Sequence, residues 1–315
     1  MEQATVIRST GSWYTIRTDN GTEYQARIRG KFRLNGLHLT NPVAVGDAVK
    51  FSVEENEEGS AMIREILPRK NYVIRQSPRK RHQLHLLASN IDQAMLVATI
   101  IQPNLKPGVI DRFLLMTEPH DIPVGIVFNK RDLYTEEHLN MYAYLRSVYE
   151  DIGYQIFLVS SLDPQDLEPL KIFLSGKTTL ISGQSGVGKS TLINTIHPEL
   201  KLRTSSLSDH SGKGQHTTTF AEMYQYQNSF IIDTPGFKTL SFNNLEPMDV
   251  AHNFREFFLL SPQCKFPNCM HRDEPKCAVK EGIESGSISE LRYINYLKII
   301  EEIEEQNHWE RHTHL

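Results

Sequence analysis

TLISGQSGVGKSTLINTI, residues 179 to 196, joins a short apolar strand to an amphipathic helix through the phosphate-loop pattern GxxxxGKS. Gly183, Gly186 and Gly188 let the backbone wrap closely, so that its N–H groups face phosphate oxygens at a helix N-terminus. Lys189 then reaches the β and γ phosphates and Ser190 a Mg2+ ion, with Gln184, Ser185, Val187 and Thr191 completing the wall. Outward from this stretch, AMLVATII, VGIVF, QIFLVS and SFIID are strand-like, and residues 136 to 150 and 190 to 196 are helical. That alternation predicts an α/β unit over 91 to 255 whose mostly parallel sheet is covered on both faces.

After the strand ending at Ile232 comes DTPG, 44 residues beyond Lys189. It places Asp233 to hold Mg2+ through water and the Gly236 N–H to sense a γ-phosphate. VGIVF delivers NKRD, 129 to 132. A carboxylate at Asp132 accepts from N1 and N2 of guanine, which adenine does not reciprocate, while Asn129, Lys130 and Arg131 brace the loop and base. Ser160 and Ser161, ending QIFLVS, offer a backbone N–H to guanine O6. The order is NKRD, SS, GQSGVGKS, DTPG, whereas ordinary GTPases begin with the phosphate loop, so the unit is circularly permuted.

The 315 residues exceed one domain. Residues 1 to 68 read as five short strands, TVIRS, WYTIRT, TEYQARI, DAVKFSV and AMIREIL, punctuated by Gly11, Gly21, Gly46 and Gly59. Such a segment predicts an all-β OB-type barrel, and its loop GKFRLNG, 30 to 36, mixes cations with an aromatic as RNA contact requires. Residues 69 to 90 form a basic linker, Arg69, Lys70, Arg75, Arg79, Lys80 and Arg81 standing without an acidic neighbour. Net charge is +5 over residues 1 to 90 and −9 over the rest, which sets the two parts to different partners.

All three cysteines lie in CKFPNCMHRDEPKC. Cys264, Cys269, His271 and Cys277 make a complete tetrahedral set for one structural Zn2+, with no open position for chemistry. They open a small helical segment, 256 to 315, ending in a helix whose apolar residues Ile288, Leu291, Ile294, Leu297, Ile300 and Ile303 recur at every third position.

A barrel of OB type, then NKRD, SS, GQSGVGKS, GQHTTT and DTPG in permuted order, then the Cys and His cluster, resembles the bacterial ribosome small-subunit-dependent GTPase A family over nearly the whole chain. The resemblance implies a GTP hydrolase that acts late in assembly of the small (30S) ribosomal subunit and binds ribosomal RNA near the decoding region. It also implies that Thr217 of GQHTTT is the switch-one Mg2+ ligand, with Thr218 a close competitor. Phe237 follows DTPG where familiar GTPases carry the Gln that orients the attacking water; His216 is the candidate to replace it. Phe237 also leaves a second reading open, an RNA-binding scaffold whose nucleotide pocket turns over negligibly. The longest mostly apolar run, Ala94 to Ile101, is far short of a membrane span, and MEQATVIRST lacks a signal peptide's apolar stretch. The expectation is a cytoplasmic monomer with no membrane partner.

Overall fold

In the computed structural model the described residues are 1–28, 41–54, 59–76, 84–200, 202, 221–234 and 245–312, with side chains described for all of these but 75, 76 and 306–312. The barrel comprises β1 (Glu2–Ser9), β2 (Tyr14–Arg17), β3 (Glu23–Ile28), β4 (Ala48–Val53) and β5 (Ser60–Ile66). It closes in the order β1-β2-β3-β5-β4-β1, with β3 and β5 parallel and the other pairs antiparallel. Alternate residues point inward, and Val6, Tyr14, Ile16, Ala26, Val49, Phe51, Ala61 and Ile63 fill the interior. The loop at 30 to 36 lies outside the described residues.

The segment read as a basic linker contains a hairpin, β6 (Tyr72–Gln76) and β7 (Leu84–Ser89). Not all of its cations stand free for phosphate. Arg69 is spent on the fully buried Asp47, donating from Nε and Nη2 at 2.6 Å each, while Ser89 Oγ donates to the same carboxylate at 2.5 Å. Lys70 pairs with Asp92 at 3.2 Å.

The α/β unit holds β8 (Gln93–Ala98), α1 (Val109–Thr117), β9 (Val124–Phe128), α2 (Glu136–Glu150), β10 (Gln155–Leu158), α3 (Glu168–Leu174), β11 (Thr178–Gly183), α4 (Lys189–Ile196), β12 (Glu222–Tyr226) and β13 (Ser229–Asp233). Its strand order is β10-β9-β8-β11-β13-β12, parallel throughout except for β12. Both faces are covered: Leu96, Ile126 and Phe128 enter one apolar cluster, and Met95, Val97 and Val127 enter the other. The continuous apolar strands of the sequence are thus strands buried on both sides. β12 was not legible as a strand, because EMYQY is mostly polar; it pairs with β13 on one side and, through Arg8 and Glu222, with β1 of the barrel on the other.

After β13 come α5 (Pro247–His252) and α6 (Arg255–Leu260), which span the boundary expected at 255, and then α7 (Ala278–Glu284) and α8 (Glu290–His312) of the C-terminal segment. The expected every-third apolar stripe is not the buried face of α8. Residues three apart advance 300°, falling 60° short of a full turn at each step, so Ile294 emerges 40% exposed. The buried face is instead Arg292, Asn295, Tyr296, Ile299, Ile300 and Ile303, which follows the 3.6-residue period and includes two polar residues. Cys269, Cys277, Tyr296 and Ile300 share one apolar cluster with Phe113, Leu114 and Tyr149, so this segment packs directly on the sheet's helices.

Candidate functional site

β11 ends at Gly183, where an added Cβ would lie 2.4 Å from the Val97 carbonyl oxygen, so only glycine lets β11 and β8 stay paired there. Gly186 and Gly188 take positive φ of 86° and 88°, which turns the loop into α4. Gln184, Ser185, Gly186 and Val187 form the loop, Lys189 opens α4, and Ser190 and Thr191 stand in its first turn. The N-terminal N–H groups of α4 and its dipole make this end a seat for an anion.

Lys189 is buried and ion-paired with Asp233, the last residue of β13, and its Nζ also donates to the Thr234 carbonyl at 2.8 Å. The phosphate-loop lysine and the DTPG carboxylate therefore meet. Ser190 stands beside them in sequence; Thr217, Gly236 and His216 lie outside the described residues.

NKRD closes on the same loop. Asn129 Nδ2 donates to the Val187 carbonyl at 2.9 Å, and Lys130 Nζ donates to the Gly186 carbonyl at 2.8 Å and to that of Gln102. Burial lowers the Lys130 pKa below the ordinary lysine value, against the opposing pull of Asp132. Asn129 is fully buried, and its backbone is fixed by Tyr134, whose hydroxyl donates to the Asn129 carbonyl and accepts from Ile100 N, each at 2.9 Å. Desolvation pushes that phenol up to about 12, so it remains a donor at neutral pH.

The Ser loop joins through side chains. Ser160 Oγ donates to Asp132 Oδ1 at 2.5 Å, and Thr195 of α4 donates to the Ser161 carbonyl at 2.9 Å. Ser160 N donates to Asp166 at 2.9 Å and Ser161 N to Asn129 Oδ1 at 3.0 Å. Both backbone donors expected to face a base are thus engaged inside the protein. The next N–H, that of Leu162, makes only a long bond of 3.3 Å to Ser160 Oγ. The sequence held no sign of this, because it depends on which carboxylates return to the loop.

A cavity of about 590 Å3 lies at the opposite edge of the sheet, lined by strand starts such as Gln93, Val124 and Gln155 together with Arg255 and Phe258. It contains none of the motif residues. The motifs sit at the carboxyl ends of the strands, where open α/β sheets bind ligands, and it is these loops that mark the site.

In the Cys and His cluster, the donor atoms of Cys264, Cys269, His271 and Cys277 lie within 4.8 Å of one another. Cys264 Sγ is 4.0 Å from Cys277 Sγ and 3.7 Å from His271 Nδ1, which is 3.3 Å from Cys277 Sγ. Two sulfurs bound at about 2.3 Å to one tetrahedral zinc stand about 3.8 Å apart, so the set fits. His271 takes φ 57°, and Glu274 holds its turn by accepting from Met270 N at 2.7 Å and Arg272 N at 2.8 Å. Tyr293 and Tyr296 of α8 donate to the carbonyls of His271 and Met270, which fastens the cluster to the C-terminal helix. Burial pushes the Cys269 thiol up to about 12 and raises that of Cys277, so a thiolate set here needs a cation for company.

The model of the RsgA N-terminal domain matches residues 3–61 and that of the RsgA GTPase matches residues 66–243. The chain is 48% identical over 301 residues to "Small ribosomal subunit biogenesis GTPase RsgA 2" of Bacteroides thetaiotaomicron, covering 95% of this chain and 96% of that protein. It is 46% identical to "Small ribosomal subunit biogenesis GTPase RsgA" of Flavobacterium psychrophilum, over 94% of this chain and 91% of the relative. Among solved structures it resembles YjeQ from Thermotoga maritima, with a TM-score of 0.75 at 34% identity, covering 96% and 98% of the two chains. It also resembles YloQ, described as a circularly permuted GTPase, with a TM-score of 0.72 at 30% identity over 97% and 96%. A barrel closed in OB order, a permuted phosphate-loop unit, a Cys3His cluster and relatives that match end to end lead to one assignment: this chain belongs to the RsgA GTPase family.

Proposed function

We propose that the chain hydrolyses GTP to GDP and phosphate in late maturation of the small (30S) ribosomal subunit, in the cytoplasm and as a monomer, binding ribosomal RNA and leaving after hydrolysis. One observation carries this reading: NKRD is bonded directly to the phosphate loop through Asn129 with Val187 and Lys130 with Gly186, so base and phosphate recognition share one pocket.

Asp132 accepts from guanine N1 and N2, and Ser160 fixes its rotamer. The Leu162 N–H, free of a short bond, donates to O6. The N–H groups of residues 184 to 190 cradle the phosphates, and Lys189 turns from Asp233 to the β and γ oxygens. Ser190, Asp233 and Thr217 would hold Mg2+, which supplies neutralisation of the charge on those oxygens. His216 orients water in place of the usual Gln, which Phe237 displaces. The RNA contact falls to the barrel and the basic hairpin, and zinc holds the C-terminal segment. No helix among the described residues is long and apolar enough to cross a membrane.

Phosphate release with and without small subunits tests the reading. Turnover slow alone and accelerated by the particles is expected, and His216→Ala abolishes the acceleration. Equal rates in both conditions favour the scaffold reading that Phe237 leaves open. Wild-type turnover of His216→Ala at saturating subunits removes His216 from the mechanism.

A further inference from the structure

Asp166 lies in none of the nucleotide motifs, yet it ties two of them together. It sits in a single 3-10 turn, Pro164–Leu167, whose N-cap Asp163 accepts from Gln165 N at 3.0 Å. One oxygen, Oδ2, accepts from Ser160 N at 2.9 Å and from Arg131 Nε at 2.9 Å. Ser160 belongs to the Ser loop and Arg131 to NKRD. The Asp166 side chain is only 18% exposed, and Arg131, 45% exposed, folds over it.

These bonds close a ring. Ser160 gives its backbone N–H to Asp166 and its hydroxyl to Asp132, Asp166 takes the Arg131 guanidinium, and Arg131 is the covalent neighbour of Asp132. The Arg131 backbone N–H adds a bond to the Val159 carbonyl at 3.0 Å. The Asp132 carboxylate is therefore aimed from two sides, by the Ser160 hydroxyl and by its own backbone, and Asp166 sets both. A carboxylate that must accept two parallel N–H bonds from a purine edge tolerates little misdirection.

We propose that Asp166 is a positioning residue for guanine selection: it fixes the direction of Asp132 and so controls how strongly the pocket distinguishes a purine bearing a 2-amino group from one lacking it. This inference rests on the guanine-nucleotide reading above. Its probes are GDP and IDP, because inosine keeps N1–H and O6 and lacks only the amino group.

The experiment measures equilibrium affinities of GDP, IDP and ADP for the full chain, and kcat and KM for GTP, in the wild type, Asp166→Ala, Asp166→Asn and Arg131→Gln. Loss of one charge-assisted bond network weakens GDP about tenfold in Asp166→Ala. IDP weakens much less, so the IDP-to-GDP ratio contracts; KM for GTP rises while kcat at saturation holds. Asp166→Asn keeps an acceptor for Ser160 N and recovers most of the ratio, and Arg131→Gln contracts it partway. A merely structural role lowers the melting temperature and leaves the ratio unmoved. A wild-type ratio in a folded Asp166→Ala overturns the proposal; if that variant does not fold, a wild-type ratio in Arg131→Gln overturns it. If the wild type itself fails to prefer GDP to both IDP and ADP, the nucleotide reading has failed instead, whatever the variants do.

Discussion

Replacing Arg292 by methionine removes the cation that bridges two carboxylates in a buried polar cluster where the C-terminal segment meets the α/β unit. Arg292 Nε and Nη2 donate to the two oxygens of Glu256 at 2.8 and 2.9 Å, and Nη1 donates to Asp111 Oδ1 at 2.6 Å. Asn295 and Tyr149 complete the coordination of Asp111 at 2.5 and 2.8 Å, and the guanidinium lies 4.2 Å from the Phe254 ring centre. The Arg292 side chain is 2% exposed and that of Asp111 0%, so water does not replace the lost partner. Burial opposes the charge on Arg292, yet the two carboxylates hold its pKa well above the ordinary arginine value. Methionine matches the stem and leaves two buried carboxylates facing each other, at a cost of about 3–5 kcal/mol. In a unit of this size that lowers Tm by roughly 6–20 °C. Because α1, α6 and α8 meet at this point, the loss also raises hydrogen exchange along α8. The assay is thermal unfolding with exchange mass spectrometry, alongside the triple variant Arg292→Met, Asp111→Asn, Glu256→Gln. The triple variant recovers most of the loss, since neutral amides remove the uncompensated charge. A single variant melting within about 1 °C of wild type would refute the account of this interface.

Three further outcomes are expected. Gly188→Ala places a Cβ 2.6 Å from Asn129 Nδ2 at a φ of 88°; it weakens GDP binding roughly tenfold or more with unchanged circular dichroism, as read by nucleotide titration. Desolvation lowers His197 to about 4, with no hydrogen-bond partner at either ring nitrogen among the described residues and the Tyr226 ring tilted 36° against it, centroids 3.6 Å apart. The unfolded chain takes up this proton near pH 6.5 and the folded chain only near 4, so stability is full above about 6.5 and declines as pH falls to about 4. Urea midpoints that decline equally in His197→Phe would contradict that assignment. Chelation or Cys269→Ser removes one zinc per chain and exposes residues 256 to 290 to protease, read by elemental analysis and limited digestion; zinc retained at one per chain in Cys269→Ser would remove that thiol from the ligand set.

The barrel, the sheet and the Cys3His cluster were legible because each leaves a short-range signature: period-two alternation with glycine turns, continuous apolar strands between helices, and clustered thiols. What stayed hidden depends on contacts between distant segments. Tyr134 and Asp166 carry no motif, and their importance appears only when Tyr134 meets Ile100 and Asp166 meets Arg131, pairs 34 and 35 positions apart. Arg292 and Asn295 lie outside the every-third apolar stripe of α8, and are buried because Asp111 and Glu256 await them. The hairpin within 72 to 89 was masked by its basic charge, and β12 by its mostly polar sequence, EMYQY.

The most direct test is the base preference of Asp132→Asn set beside Lys189→Ala. Xanthine carries an oxygen where guanine carries its 2-amino group, and an amide at 132 offers that oxygen a donor. The account predicts that Asp132→Asn binds XDP at least about tenfold more tightly than GDP, whereas Lys189→Ala weakens both without changing their order. Unaltered GDP preference in Asp132→Asn would contradict it, because the base would then be read elsewhere than beside the phosphate loop.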